Sequence, residues 1–138
     1  MTKSEFVVMK HYAKRAGEHF DFRFRIPKSN KWDSYACRKE IPTEKNKKIL
    51  SIKTTIHSRK EALLTGEIES GYGAGILKKW DSGKCNILKY KRNHIVIQLF
   101  GKKLTGTFHL VQITNIKTME SKNKNHYLMF KGNLKTSQ

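Results

Sequence analysis

Residues 19 to 26, HFDFRFRI, alternate without a break between apolar and polar side chains. Phe20, Phe22, Phe24 and Ile26 share one parity; His19, Asp21, Arg23 and Arg25 share the other. A repeat of two is the period of a strand. The segment should therefore bury one apolar face and turn an imidazole, a carboxylate and two guanidiniums to the opposite, solvated side.

The rest of the chain follows the same grammar of short strand-like pieces and turn signals. EFVVMKH (5 to 11) precedes the alternating segment, and WDSYAC (32 to 37), ILSIKTT (49 to 55), CNILKY, HIVIQLF, GTFHLVQI and HYLMFKG follow it. PKSNK (27 to 31), DSGK (81 to 84, a hairpin turn) and SKNKN (121 to 125) read as turns, joined by the basic loop RKEIPTEKNKK (38 to 48). SRKEALLTGE (58 to 67) has room for one helical turn, and GYGAGILKKW (71 to 80) reads as glycine-rich backbone entering a strand. No repeat and no long helical pattern appears. The expected fold is mainly β, a barrel or sandwich of about eight short strands with a short helical segment. The 138 residues suit a single domain, 1–138.

Lysine and arginine number 29 against 11 acids, a formal net charge of +18. In one small domain that excess points to a polyanion, and with 14 aromatics (Phe 7, Tyr 5, Trp 2) to nucleic acid. Cys37 and Cys85 stand far apart with no CxxC, which argues against a disulfide scaffold or structural zinc and for a reducing compartment. With no leader-like or membrane-length apolar run, the expectation is a cytoplasmic protein.

His19 and Asp21 lie two apart on one strand face, where side chains project in parallel and can share a divalent cation. His11, across the preceding turn, is a third candidate; two imidazoles and one carboxylate suit a catalytic transition metal. Arg23, next on the same face, would clamp an anion held there. The plain alternative is a solvated face whose charges keep one side wet. His57, His94, His109 and His126 carry no partner pattern and read as structural or surface residues. The glycine-rich 66 to 75 segment lacks the order of a P-loop.

Taken in order, FVVMKH (6 to 11), HFDFRF (19 to 24), GYGAG (71 to 75), WDSG (80 to 83) and GKKLTGTFHLV (101 to 111) resemble the 3′-phosphoesterase family. That family occurs as a domain of the bacterial ligase D of non-homologous end joining and as stand-alone proteins. The resemblance runs from about Phe6 to Lys131. It implies a compact β-barrel with the active site in a groove, and a divalent metal, commonly manganese. The implied activity is removal of a terminal 3′ ribonucleoside and then the 3′-phosphate from DNA or RNA 3′ ends, leaving a 3′-hydroxyl. Carried over by position, the metal ligands fall on His11, His19 and Asp21, the phosphate-contacting arginine on Arg23, the second active-site histidine on His57, and a basic substrate-binding position on Lys39. A ligase or polymerase of end joining is the implied partner, and a monomer the implied state.

The chain departs from the family pattern in three places. Seven residues separate His11 from His19 where the family has five, and Glu61 stands where it has tyrosine. An N-terminal arm common in the family has little counterpart, since only five residues precede Phe6. The rival reading is a non-catalytic basic barrel that binds single strands and stacks bases on Tyr72 and Trp80.

Overall fold

The computed structural model describes residues 1–14, 17–68, 75–114 and 124–132. Nine strands and one helical turn occur among them: β1 (Thr2–Ala13), β2 (Gly17–Arg25), β3 (Trp32–Cys37), β4 (Ile49–Lys53), α1 (Arg59–Ala62), β5 (Gly66–Ile68), β6 (Gly75–Lys91), β7 (His94–Phe100), β8 (Thr105–Gln112) and β9 (His126–Lys131). The sheet runs β1-β2-β3-β4-β9-β8-β7-β6, and β6 returns to pair with β1. The result is the expected barrel, a closed antiparallel ring of eight strands, with β5 attached outside the ring to β6. GYGA (71 to 74), Tyr72 and most of the SKNKN turn lie outside the described residues.

The alternation read from the sequence fills the ring. Phe20, Phe22 and Phe24 point inward with Phe6, Val8, Tyr35, Ile97, Leu99, Phe108 and Met129, all buried. Phe24 stacks on Tyr35 (6.2 Å between centroids), and Tyr127 meets Tyr35 edge-on. Aromatic pairs of this kind add about 0.5–1.5 kcal/mol each beyond the area they bury. Trp80 is packed against this interior, edge-on to Phe20 at 5.4 Å. Cys37 and Cys85 are both buried free thiols whose pKa burial pushes up to about 12, so neither is a nucleophile at neutral pH.

One reading of the sequence is corrected. DSGK is not a hairpin turn, because β6 passes through it without a break. Its residues serve contacts distant in sequence. The Asp81 carboxylate accepts the backbone N–H groups of Lys102, Lys103 and Leu104 at 2.8–3.1 Å, which orders the real turn between β7 and β8. A Cβ on Gly83 would stand 2.3 Å from the Phe100 carbonyl oxygen, so glycine there marks a close approach of two strands. Trp80 is the extra residue of a bulge, since Val8 pairs with Asp81 and Met9 with Lys79.

A second correction concerns the face carrying His19, Asp21 and Arg23. It was expected to be wet, yet Asp21 is 6% and Arg23 7% exposed. The cover is the segment that contains α1, which lies on the outer wall of the barrel. Val7, Met9, Trp32, Ala62 and Leu77 form a small apolar cluster there, separate from the interior. His57 pairs with Trp32 through both backbone groups at 2.9 Å, and Arg59 reaches the Glu5 carboxylate at 2.7 Å. The barrel therefore has two buried layers, and Asp21 and Arg23 lie within the outer one, with His19 and Arg25 partly exposed at its edges.

Candidate metal centre

Register brings the three donors together. In the β1–β2 hairpin His11 stands directly opposite His19, and Asp21 follows on the same face of β2. Ala13 pairs with Gly17, whose φ of +76° suits glycine at the turn. A hairpin lengthened by two residues, one on each strand, keeps the same residues facing one another. The wider spacing between the histidines is thus absorbed without loss of the pair.

His11 Nδ1 lies 3.2 Å from His19 Nε2. His19 Nε2 lies 3.3 Å from Asp21 Oδ1, and His11 Nδ1 3.7 Å from Asp21 Oδ2. Donors about 2.1 Å from one tetrahedral ion stand roughly 3.4 Å from each other. The spacing and the donor chemistry, two imidazole nitrogens and one carboxylate, therefore fit a divalent transition ion. Among the described residues no other three such donors converge.

Arg23 is held on all sides. Its Nε donates to Ser34 Oγ (3.2 Å), Nη1 to the carbonyls of Ala62 (2.9 Å) and Glu61 (3.4 Å), and Nη2 to Asp21 Oδ2 (3.3 Å). A guanidinium has five N–H groups, so these contacts leave one, on Nη2. Burial lowers the Arg23 pKa and Asp21 opposes that shift; the group stays charged. Arg23 thus orients Asp21 from behind, as partners behind metal-binding carboxylates do, and pins α1 to the barrel.

His57 is half-buried beside this group. Burial first, and then the positive charge of Arg23, hold its pKa below the ordinary value, so the imidazole is neutral at pH 7. Glu61 sits three residues after the helix cap Ser58 and closes a capping box: its Oε1 accepts the Ser58 N–H at 2.9 Å, and Ser58 Oγ accepts the Glu61 N–H at 3.2 Å. Those bonds lower its pKa and keep the carboxylate on the solvent side. Only the Glu61 carbonyl reaches the centre, through Arg23. Glu61→Ala should retain activity within a few-fold and lower the melting temperature slightly, whereas His57→Ala should lose nearly all activity. Near-complete inactivation of Glu61→Ala in a 3′-phosphate release assay would contradict this placement.

Lys39 is exposed and lines a neighbouring cleft with Arg38 and Lys48, and has no contact with the His–Asp group. The cleft that contains His19 and Asp21, about 270 Å³, is lined instead by Arg38, together with Ala36, Ile52 and Thr54. Arg38 was not anticipated from the sequence. It shares parity with Ser34 and Ala36, and Ala36 pairs with Asp21, so the register of β2 with β3 was the missing signal.

Fold and site together define a strongly basic antiparallel barrel with a bis-imidazole–carboxylate centre on its outer wall. The chain belongs to the DNA ligase D 3′-phosphoesterase domain family, whose model matches residues 9–112. It is 32% identical over 122 residues to the multifunctional non-homologous end joining protein LigD of Pseudomonas aeruginosa, covering 84% of this chain and 14% of that protein. With LigD of Mycolicibacterium smegmatis it shares 28% identity over 120 residues, 78% of this chain and 15% of that protein. The chain thus spans about a seventh of the length of these relatives.

Proposed function

We propose that this chain is a metal-dependent phosphoesterase that heals nucleic-acid 3′ ends, removing a 3′-phosphate and a terminal 3′ ribonucleoside to leave a 3′-hydroxyl. The observation that carries the reading is the convergence of His11, His19 and Asp21 at distances suited to one ion, in a family named for 3′-phosphoesterase domains. In this reading the three residues hold a divalent ion, manganese in preference. The ion supplies Lewis acidity toward a phosphate oxygen and lowers the pKa of water near it.

The protein's own groups divide the remaining work. Arg23, with one N–H left on Nη2, makes a single contact to the phosphate instead of a bidentate clamp, and stabilises charge that grows there. His57, neutral at pH 7, donates its ring N–H to the phosphate or the leaving oxygen. Lys39 and the wider excess of lysine hold the nucleic-acid backbone without reading its sequence. The chain acts as a single domain and a monomer on DNA or RNA 3′ ends, and hands its product to a ligase or polymerase of end joining. No helix among the described residues is long and apolar enough to cross a membrane.

The test is a labelled primer ending in a 3′-phosphate, incubated with the protein and manganese. Phosphate release that stops in excess chelator is the expected result. Release that persists in chelator would remove the metal from the reading, and no release with manganese, magnesium or zinc would remove the activity.

A further inference from the structure

Two clefts on the outer wall join into one trough. The cleft that holds His19 and Asp21 shares Ala36, Arg38 and Ile52 with the next, about 250 Å³, whose further lining includes Lys39, Lys48 and Leu50. The trough therefore leaves the His–Asp group and crosses β3 and β4. Its floor is aliphatic: Ala36 pairs with Ile52 across β3 and β4, and Leu50, outward on β4, is 47% exposed. Its walls are cationic, with Arg38, Lys39 and Lys48 all exposed. Among the described residues, no carboxylate apart from Asp21 lines either cleft.

Arg38 differs from the other arginines of this wall. Arg25 and Arg59 both reach Glu5, at 3.6 and 2.7 Å, and Arg23 is committed to Asp21, Ser34 and α1. Arg38 makes no hydrogen bond or ion pair with the described residues. An exposed guanidinium with no partner among the described residues, beside the partly exposed aliphatic floor, matches the two halves of a nucleotide chain. Phosphates suit the cation, and sugars and bases suit the floor.

We infer that the trough is the track of the unpaired strand whose 3′ end reaches the His–Asp group, with Arg38 on the first internucleotide phosphate and Lys39 or Lys48 on the next. This rests on the proposed function for which end lies at the centre, and on the trough alone for the binding itself. A single strand is the occupant because its sugars and bases are free to lie on the aliphatic floor, whereas a duplex keeps its bases paired and stacked inside.

The experiment measures anisotropy of a labelled ten-nucleotide single strand ending in a 3′-phosphate, over a series of salt concentrations. Arg38→Gln and Lys48→Gln, both at exposed positions, should each weaken binding several-fold. Each should also reduce the log–log salt slope by roughly 0.7, the share of one phosphate on a single strand. In turnover, Arg38→Gln should raise KM for the oligonucleotide by a larger factor than KM for a nucleoside 3′-phosphate, which has no internucleotide phosphate to lose. Affinity and slope identical to wild type in both variants would overturn the track, as would losses confined to a blunt duplex. A wild-type protein that releases no phosphate from either substrate would sink the proposed function, while the binding series would still decide the track.

Discussion

Arg23→Met is expected to lower the unfolding free energy by about 3–5 kcal/mol, the usual cost of breaking a buried charge pair from one side. Methionine fills much of the same space, so the loss isolates the guanidinium. Without it, the Asp21 carboxylate keeps its burial and loses its cation, and the carbonyls of Glu61 and Ala62 lose their donor. The second layer then loosens, because α1 is joined to β2 through this side chain. Arg23→Lys should not restore it, since an ammonium is a compact charge and cannot span Ser34, Asp21 and two carbonyls with fixed geometry. Urea unfolding of both variants checks the claim. A midpoint unchanged in Arg23→Met would show that the contacts carry no net stability.

Asp21→Asn should abolish manganese-dependent release of phosphate and weaken manganese binding by on the order of a hundredfold or more, exceeding the effect of a lost outer partner. Asparagine keeps the shape and one carbonyl oxygen but removes the charge that a hard or borderline cation requires. The milder substitution is chosen because the site is buried. Asp21→Ala would leave Arg23 facing an empty space, so a loss of activity there would mix a missing ligand with a damaged wall. Calorimetric titration with manganese and the primer assay give independent readings. Wild-type affinity for manganese in Asp21→Asn would reject the donor set, whatever the activity does.

The strict alternation of residues 19 to 26 was enough to place three phenylalanines inside and His19, Asp21 and Arg23 outside, because strand parity is local. It could not tell that the outside would be covered. Ala62, whose carbonyl takes the Arg23 donor, lies 39 residues further on, and nothing near β2 announces it. The error at DSGK has the same origin. Aspartate and glycine are turn residues by local propensity, and here they answer to residues 100–104 across the sheet. The candidate donors were legible to different degrees: His19 and Asp21 share a face by parity and His11 could be placed across the preceding turn, but the register that sets His11 opposite His19 needed the fold. Arg38 needed the pairing of β2 with β3, and with it the knowledge of which residues border the centre.

The closing seam of the barrel has a consequence for the order in which the chain is made. One edge of β1 pairs with β2, its neighbour in sequence, and the other with β6, from Thr2 opposite Ile87 to Ala13 opposite Gly75. A ribosome delivers the amino end first. His11, His19, Asp21, Arg23, His57 and the carbonyl of Ala62 are therefore all synthesised before the first residue of β6 exists. Throughout that interval β1 presents an open edge, and Val7 and Met9 lack Leu77, their partner from β6 in the outer layer. Closing so long a loop is also the slow kind of contact for a folding chain. The centre is early in composition and late in rigidity.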